Sequence, residues 1–251
     1  MFYPLLHKVS LITGGAKGIG RASALKLAKA GSDVAIVYYS SSEEAEALVQ
    51  EIRAMGRQAH AFQTNVADAA SVKELFAAFR QHFPSLDVLV SNAASGVLKP
   101  AMQMSTKHWR WCMETNALAL NHLIVEGRAL MPRGARVIAL SSLGAQRAIP
   151  NYAFIGASKA ALEALVRSWN LELAVDDISV NTISAGVVDT DALKYFPNRE
   201  QLLQEYQAHS LAQSPLTPDD VADAVYLLCL PEAKMIKGHT LFVDAGYSIV
   251  G

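Results

Sequence analysis

KVSLITGGAKGIG, residues 8–20, joins a short apolar run to a turn rich in glycine. Its first half has the composition of a buried strand, and the residues that follow predict a helix over about 20–30. Gly14, Gly18 and Gly20 permit a tight turn and a close approach of the backbone to a pyrophosphate. The start of the helix offers free N–H groups and the positive end of its dipole. The stretch therefore predicts a dinucleotide-binding strand, turn and helix.

The same alternation of apolar runs and amphipathic segments continues along the chain. Six further strands are predicted at 33–39, 58–66, 86–94, 135–143, 178–186 and 238–246, with helices at 43–56, 69–83, 106–131 and 154–175. Strands that alternate with helices of this length indicate a parallel sheet covered on both faces. We expect one domain over residues 1–251, with a Rossmann-like, doubly wound α/β fold of about seven strands and helices on both faces.

The segment 190–217 interrupts this alternation. It is polar and has a helical pattern, but no strand follows it before residue 238. Inserted helices of this kind often cover a substrate. We interpret 190–217 as a substrate lid, with a plain surface insertion as the alternative.

Composition and charge exclude several classes of partner. Hydrophobic residues make up 51% of the chain and charged residues 18%, which is enough apolar material for a sizeable core. With 22 basic and 23 acidic residues, no basic excess favours nucleic acid or an anionic membrane surface. A small-molecule partner is expected.

The two cysteines and the hydropathy of the chain point to the cytoplasm. Cys112 and Cys229 have no metal-ligand neighbours in sequence, so we expect two buried reduced thiols and no metal site. The first residues lack a basic region before an apolar stretch, and no apolar run has the roughly 18 residues that span a bilayer. We expect neither a signal peptide nor a membrane segment.

The choice of nucleotide is read at the end of the second strand. A carboxylate there would bind the ribose 2′-hydroxyl of NAD and repel a 2′-phosphate. The chain instead runs Tyr38-Tyr39-Ser40-Ser41-Ser42, and Lys17 adds a positive charge in the glycine turn. These residues favour NADPH, and Ser40 is expected to donate a hydrogen bond to it. The alternative for Lys17 is a solvated lysine in a loop, without contact to the cofactor.

Several motifs, in this order and spacing, together resemble the short-chain dehydrogenase/reductase family. They are Thr13-Gly-x-x-x-Gly-Ile-Gly20, Asn65-Val66, Asn92-Ala93-Ala94, Asn116, Ser141-Ser142, Tyr152 with Lys159, and Ala185-Gly186-Val-Val-Asp-Thr190. The resemblance covers nearly the whole chain. It implies a doubly wound single domain, usually a homotetramer, that uses a nicotinamide cofactor.

The resemblance also implies which residues hold that cofactor. Asn65 and Val66 would flank the adenine, Asn92 the adjoining ribose, and Val188 with Thr190 the carboxamide. For the two asparagines the alternative is a side chain that satisfies strand-end backbone groups. The full cofactor set is Gly14, Lys17, Gly18, Ile19, Gly20, Ser40, Asn65, Val66, Asn92, Lys159, Gly186, Val188 and Thr190.

One position departs from the family pattern. Most members carry a tyrosine four residues before the lysine, but here that position is Ile155, which has no proton to donate. Tyr152 stands seven residues before Lys159, close to two helical turns, so the pair can share a helix face. This Tyr-x6-Lys spacing resembles that of the enoyl-thioester reductases within the family. The surrounding segments resemble the enoyl-acyl-carrier-protein reductase III type, which uses NADPH.

The shifted tyrosine suits the reduction of a conjugated double bond. A ketone reductase delivers hydride to the carbonyl carbon and protonates the oxygen attached to it. An enoyl reductase delivers hydride to the β-carbon, and charge develops on the thioester oxygen several bonds away. If the β-carbon lies over the nicotinamide, the oxygen is displaced, and the acid should be displaced with it.

By hypothesis, four residues carry the chemistry. Tyr152 would hydrogen-bond the thioester oxygen and stabilise the enolate. Lys159 would hold the nicotinamide ribose and favour a negative tyrosine oxygen, while Ser142 assists the same oxygen and Asn116 orders a water chain. Ala94, Ser95, Tyr152 and Leu193 are the expected substrate-binding residues.

The expected substrate is an enoyl thioester on an acyl-carrier protein, and two other functions stay open. Carrier proteins are acidic, so a docking site should present basic residues. The candidates are Lys99, Arg147, Lys194 and Arg199, each with a solvated loop charge as its alternative. A 3-oxoacyl thioester reductase, with Ser142 and Tyr152 serving a ketone oxygen, is the first alternative function. A non-catalytic nucleotide-binding regulator is the second.

Overall fold

Strands and helices alternate along the chain as predicted. The computed structural model describes residues 3–191, 193 and 199–250. Its strands are β1 (Val9–Thr13), β2 (Asp33–Tyr38), β3 (Ala59–Gln63), β4 (Val88–Ser91), β5 (Arg136–Ser142), β6 (Ser179–Ala185) and β7 (Thr240–Val243). Its α-helices are α1 (Gly18–Lys29), α2 (Ser42–Ala54), α3 (Ala69–Phe79), α4 (Thr106–Met113), α5 (Ala119–Gly127), α6 (Ala153–Leu173), α7 (Arg199–His209) and α8 (Pro218–Cys229). All seven predicted strands are present, each shorter than its predicted range.

The seven strands form one parallel sheet in the order β3-β2-β1-β4-β5-β6-β7. Leu11 of β1 lies opposite Ala35 of β2 on one side and Leu89 of β4 on the other. The chain therefore builds the sheet outward from β1 in one direction and then crosses to β4 to build it in the other. This reversal opens a crevice at the carboxyl ends of β1 and β4, where such sheets bind ligands. The predicted Rossmann-like, doubly wound single-domain fold is confirmed.

The helices cover the two faces of the sheet and make two cores. Ile12 packs with Leu27 on the side of α1, α2 and α8, while the adjacent Leu11 packs with Phe76 on the side of α3, α5 and α6. Alternate side chains of a strand point to opposite faces, so β1 is buried along its whole length. Each fully buried aliphatic side chain of this kind contributes about 1.5–3 kcal/mol.

The helix predicted over 106–131 is present as a continuous helical segment from residue 106 to residue 127, but it is not a regular α-helix throughout. It is divided into α4 and α5 by a π-helical turn over Glu114–Leu118, and a 3₁₀ turn follows at Arg128–Leu130. A π-helical turn widens the helix by one residue and is frequent at functional sites. The apolar spacing of the sequence does not reveal it, because one extra residue per turn hardly changes the pattern over 26 positions.

The segment after β6 contains two helices. α7 falls within the predicted lid 190–217, and α8 was not predicted. Residues 192 and 194–198, with the candidate Lys194 among them, lie outside the described residues. α8 begins with a capping box in which Thr217 and Asp220 bond each other's backbone N–H groups, and Pro218 is its first residue. This start signal could have been read from the sequence.

Two further features bear on the expected class of protein. Among the residues described, no helix combines the length and the apolar character that crossing a bilayer requires. In the same residues, no group of three His, Cys, Asp or Glu side chains is placed to hold a metal ion. Cys112 and Cys229 are buried free thiols.

Candidate active site

A cavity of about 950 Å³ runs along the carboxyl ends of the central strands. It lies at the reversal between β1 and β4 and extends past β5 to the segment after β6. Most of the predicted site residues line it: Gly14, Lys17, Gly18, Ile19, Ser40, Asn65, Val66, Asn92, Ala94, Ser95, Ser142, Tyr152, Lys159, Gly186, Val188, Thr190 and Leu193. Gly20 and Asn116 are not among the lining residues.

The glycine turn leaves room for a ligand backbone at the start of α1. A Cβ on Gly14 would come within 3.1 Å of the Ala93 backbone, and a Cβ on Gly20 within 2.2 Å of the Gly14 carbonyl. Gly18 has a φ of +52°, which L side chains rarely adopt. Gly20 therefore packs beneath the turn and supports Gly14, whereas Gly14 and Gly18 face the cavity. Gly18 and Ile19, the first residues of α1, line the cavity, and the N-terminus of a helix is suited to bind an anion.

The end of β2 carries the hydroxyl groups expected for nucleotide binding. Tyr39 and Ser40 line the cavity there. Lys17, however, forms an ion pair with Glu44, whose carboxylate lies 2.7 Å from the lysine Nζ. The hydrogen bond from Lys17 holds the pKa of Glu44 below its usual value. Lys17 is predicted to add a positive charge to the glycine turn, and this ion pair offsets that charge.

The predicted adenosine residues are also partly occupied by structural bonds. The Asn92 amide donates to the carbonyl oxygens of Thr13 and Gly14, at 2.9 and 3.1 Å. The Asn65 side chain accepts from the backbone N–H of Ala67 at 3.2 Å. Asn92 thus ties the end of β4 to the glycine turn, which fixes the width of the crevice. The backbone role considered as an alternative for both asparagines is present in the structure.

Tyr152 and Ser142 meet on the floor of the cavity. Their hydroxyl oxygens lie 3.2 Å apart and are hydrogen bonded. Tyr152 stands at the N-cap of α6 with a non-helical backbone, just before the helix and not within it. The predicted shared helix face is therefore not what brings it to the site. Burial raises the pKa of the Tyr152 phenol, against the lowering effect of the Ser142 hydrogen bond.

The ring of Tyr152 rests on a glycine. A Cβ on Gly144 would lie 2.5 Å from two ring carbons of Tyr152, and a Cβ on Gly156 would lie 2.5 Å from the Gly144 carbonyl oxygen. These distances are well below the 3.5–4.0 Å of ordinary carbon contacts. The phenol ring therefore occupies space that is free because residues 144 and 156 are glycines.

Lys159 is buried on α6 and directed toward the same region. Its Nζ donates to the carbonyl oxygen of Leu140 at 2.7 Å. Burial lowers the pKa of the Lys159 ammonium to about 8, and the nearby Glu163 carboxylate acts in the opposite direction. A lysine with a pKa in this range is mostly cationic at neutral pH and loses its proton under mildly alkaline conditions.

Ile155, which takes the usual position of the family tyrosine, faces away from the cavity. A Cβ on Gly96 would lie 2.4 Å from Cγ1 of Ile155 and 3.2 Å from the sulfur of Cys112. Ile155 therefore packs directly on the backbone of the segment that follows β4, and it is not among the lining residues.

Asn116 lies in the π-helical turn, one layer beneath the cavity. Its amide nitrogen donates to the carbonyl of Ser95 and to the hydroxyl of Ser158, at 2.8 and 2.9 Å, and its amide oxygen accepts from the Ser95 N–H at 2.8 Å. The side chain thus clamps the segment after β4 to α6. The side-chain amide is engaged by these protein groups, and its role in ordering a water chain stays a prediction.

The segment after β6 closes one end of the cavity. Gly186 lines it, and a Cβ on Gly186 would lie 2.1 Å from the hydroxyl oxygen of Tyr206 in α7. That hydroxyl donates to the carbonyl of Asp244 at 2.6 Å. Tyr206 therefore holds α7 against the wall that carries Gly186, Val188 and Thr190.

The basic residues predicted to dock a carrier protein differ in their exposure and in their partners. Lys99 and Arg147 are exposed, and Arg147 donates to the carbonyl of Ser248. Arg199 is paired with Asp189 through three hydrogen bonds of 3.2, 2.8 and 2.6 Å. Lys99 and Arg147 keep the most exposure of the described candidates.

Comparison with protein families decides the membership that the motifs suggested. The family model described as enoyl-(acyl carrier protein) reductase matches residues 14–248. A relative from Streptomyces collinus, named 1-cyclohexenylcarbonyl-CoA reductase, is 37% identical over 246 residues, which is 97% of this chain and 88% of that protein. The chain belongs to the short-chain dehydrogenase/reductase family.

Other members of the short-chain dehydrogenase/reductase family are nearly as similar. The 3-oxoacyl-[acyl-carrier-protein] reductase FabG of Staphylococcus aureus (strain Mu50) is 36% identical over 247 residues, 96% of this chain and 98% of that protein. A short chain dehydrogenase from Burkholderia cenocepacia J2315, solved in complex with NADP, has a TM-score of 0.91 at 31% identity, covering 98% of this chain and 99% of that one. A blue fluorescent protein from a metagenomic library, solved with NADPH, has a TM-score of 0.90 at 33% identity and the same coverage.

Several lining residues of this short-chain dehydrogenase/reductase were not predicted from the sequence. Apolar ones face the substrate end of the cavity: Trp111, Leu143, Ile149 and Leu202. Glu114 and Thr115 of the π-helical turn line it as well. Their spacing carries no motif, because they come from five separate loops and helices that the fold alone brings together.

Proposed function

We propose that this protein is an NADPH-dependent reductase of the carbon–carbon double bond of trans-2-enoyl thioesters. The observation that carries the proposal is the position of Tyr152. The phenol that reaches Ser142 and the cavity belongs to residue 152, while residue 155 is an isoleucine packed on Gly96. That spacing to Lys159 resembles the spacing of enoyl-thioester reductases in the family.

The relatives support the same class of substrate. The compound in the name of the Streptomyces protein, 1-cyclohexenylcarbonyl-CoA, is a thioester whose ring double bond is conjugated with the carbonyl. The description of the matching family model also names an enoyl substrate. The name of this relative, the description of the family model and the position of Tyr152 all support a conjugated acyl thioester as the substrate.

The cofactor of the protein is NADPH. The turn Gly14–Gly18, the N-terminus of α1 and the hydroxyl groups of Tyr39 and Ser40 fit a dinucleotide, and solved relatives were crystallised with NADP and NADPH. When bound, NADPH supplies the hydride for the reduction. Lys159 would hold the nicotinamide ribose, and Val188 with Thr190 would hold the carboxamide.

The protein groups act on the thioester oxygen. The raised pKa of Tyr152 keeps its phenol protonated at neutral pH, so the phenol donates a hydrogen bond to the oxygen as negative charge develops there. Ser142, hydrogen bonded to the phenol, is placed as a second donor. By the same hypothesis, the cationic Lys159 would favour negative charge on the tyrosine oxygen. Asn116 fixes the segment at Ser95, which lines the cavity.

A 3-oxoacyl thioester reductase is the second candidate. The 3.2 Å contact between Ser142 and Tyr152 favours it, because two hydroxyls that converge on one point can also serve a ketone oxygen. The similarity to FabG supports the same alternative. The difference between the two candidates lies in which carbon of the acyl chain faces the nicotinamide.

A comparison of two thioesters tests the proposal. NADPH oxidation is followed with a crotonyl thioester and with an acetoacetyl thioester, each on coenzyme A and on acyl-carrier protein, for the wild type and for Tyr152→Phe. We expect turnover of the crotonyl substrate and a loss of about 10²–10³-fold in kcat on removal of the phenolic hydroxyl. Preference for the acetoacetyl substrate favours the second candidate. Tight NADPH binding with turnover of neither substrate favours a non-catalytic regulator.

We further propose a homotetramer that receives its acyl chain from an acyl-carrier protein. Leu118, Val125 and Leu171 are exposed apolar side chains on helices, which supports contacts between subunits. Exposed Lys99 and Arg147 support docking of an acidic carrier. Light scattering measures the assembly. A lower KM for the carrier-bound crotonyl group than for its coenzyme A thioester, raised again in Lys99→Ala/Arg147→Ala, tests the docking.

A further inference from the structure

A buried carboxylate, that of Glu163, lies beneath the site. Glu163 stands one helical turn after Lys159 on α6 and is only 6% exposed. Its Oε1 accepts a hydrogen bond of 2.7 Å from the hydroxyl of Ser141, a side chain that is itself buried. A carboxylate buried to this extent is costly unless its charge is compensated.

Glu163 belongs to a set of contacts that join three consecutive residues of β5 to α6. The carbonyl of Leu140 accepts from Lys159 at 2.7 Å, the hydroxyl of Ser141 donates to Glu163, and the hydroxyl of Ser142 meets Tyr152. The carboxylate therefore sits in the middle of the connection between the strand and the helix that present the active-site groups.

The elements packed against α6 differ in the ionisable side chains that they carry. β6 and the turn 143–145 have none. α4 and the π-helical turn carry Lys107, His108, Arg110, Cys112 and Glu114. Arg136 stands at the first residue of β5, away from Leu140, and Asp176 follows the far end of α6. Among the described charges, Glu163 is the one that acts on the pKa of Lys159, in the direction that keeps the ammonium protonated.

We propose that Glu163 is a positioning residue that keeps Lys159 cationic and directed at the cofactor, with Ser141 holding the carboxylate in place. The opposite charge compensates the burial of Lys159, and the Ser141 hydroxyl keeps Glu163 from turning to form a direct ion pair that would draw the ammonium away from the cavity. This inference rests on the NADPH dependence proposed above, but not on which bond is reduced.

The test is the pH dependence of NADPH binding, measured by cofactor fluorescence without any substrate, and of kcat/KM. Lys159 loses its proton as pH rises through about 8, so binding and kcat/KM of the wild type should weaken above that pH. Glu163→Gln keeps an acceptor for Ser141 and removes the charge. We call the fall of binding and kcat/KM at high pH the alkaline limb. We expect Glu163→Gln to shift this limb to a pH about one unit lower, which is the size of effect that a nearby opposite charge has on a pKa.

Three variants separate charge from packing. Ser141→Ala keeps the charge but frees the carboxylate to pair directly with Lys159, so its alkaline limb should not fall below that of the wild type, while NADPH binding at pH 7 should weaken. Glu163→Asp keeps the charge but withdraws it by one methylene, so its limb should move in the same direction as in Glu163→Gln, and less. Glu172→Gln removes an exposed carboxylate from the same helix and should change neither measurement.

A purely structural carboxylate would give a different result. An alkaline limb unmoved in Glu163→Gln and in Glu163→Asp, or in Glu163→Asp alone if the glutamine variant does not fold, overturns the inference. Failure of the wild type to bind NADPH would instead contradict the proposed function. Because binding needs no acyl substrate, the two failures are distinguishable.

Discussion

The packing of the Tyr152 ring on Gly144 can be tested by adding a single methyl group at residue 144. Gly144→Ala places a Cβ 2.5 Å from the Cδ1 and Cε1 atoms of the Tyr152 ring. The backbone of Gly144 is not in the left-handed region, so alanine brings no conformational strain of its own. The substitution changes the position of the ring and leaves its chemistry intact.

The size of the effect follows from the distances. Ordinary contact between carbon atoms is 3.5–4.0 Å, so the ring must move by about 1 Å. The hydroxyl then leaves its 3.2 Å contact with Ser142. A misplacement of about 1 Å in a catalytic group can cost on the order of 10²-fold in rate. We expect kcat with a crotonyl thioester to fall by that factor in Gly144→Ala, with little change in NADPH affinity.

The matched control is Gly127→Ala in α5. Its Cβ would lie 2.8 Å from Phe76, an overlap of similar size, but in the core and away from the cavity. We expect this variant to lose about 1–3 kcal/mol of unfolding free energy from overpacking and to keep its kcat. Steady-state kinetics and thermal unfolding of the two variants give the comparison. A Gly144→Ala enzyme with wild-type kcat and a ring still in contact with Ser142 would refute the reasoning.

Two further substitutions address the position of the phenol and the closure of the cavity. The double variant Tyr152→Phe/Ile155→Tyr restores the usual family spacing. Because position 155 faces Gly96, the activity of this variant should stay about 10²–10³-fold below wild type. Recovery of acetoacetyl reduction would instead show that residue 155 can reach the site. Tyr206→Phe removes the hydrogen bond to Asp244, which is worth about 1 kcal/mol, and loosens α7. We expect a KM for the acyl substrate raised several-fold with an unchanged affinity for NADPH, and equal KM values would contradict a lid role for α7.

The sheet could be predicted from the sequence because its central strands are buried on both faces. The apolar runs that contain Leu11 and Leu89 are short and continuous, as expected for central parallel strands. The glycine turn was equally readable, since Gly14 and Gly18 are demanded by backbone geometry and not by partners distant in sequence. Local physics fixed these features, so local sequence revealed them.

The interior of the site was less predictable because it depends on contacts across the fold. The ion pair between Lys17 and Glu44 joins the glycine turn to α2, and nothing in the sequence relates the two residues. The π-helical turn at Asn116 has the same apolar spacing as an ordinary helix, and Glu163 resembles any polar residue in α6. Each of these features appears only when separate elements are brought together.

The position of Tyr152 shows how such contacts replace helical periodicity. Seven residues before Lys159 is almost two turns, and that spacing alone predicted a shared helix face. The structure instead places Tyr152 at the N-cap, where the backbone is non-helical, and the ring reaches Ser142 by lying on Gly144. Gly156 permits this arrangement, because a side chain there would collide with the Gly144 carbonyl. The position of the Tyr152 ring therefore depends on two glycines, one before it in the sequence and one after it. Transferring the tyrosine alone to a relative with larger residues at those positions should not transfer the chemistry.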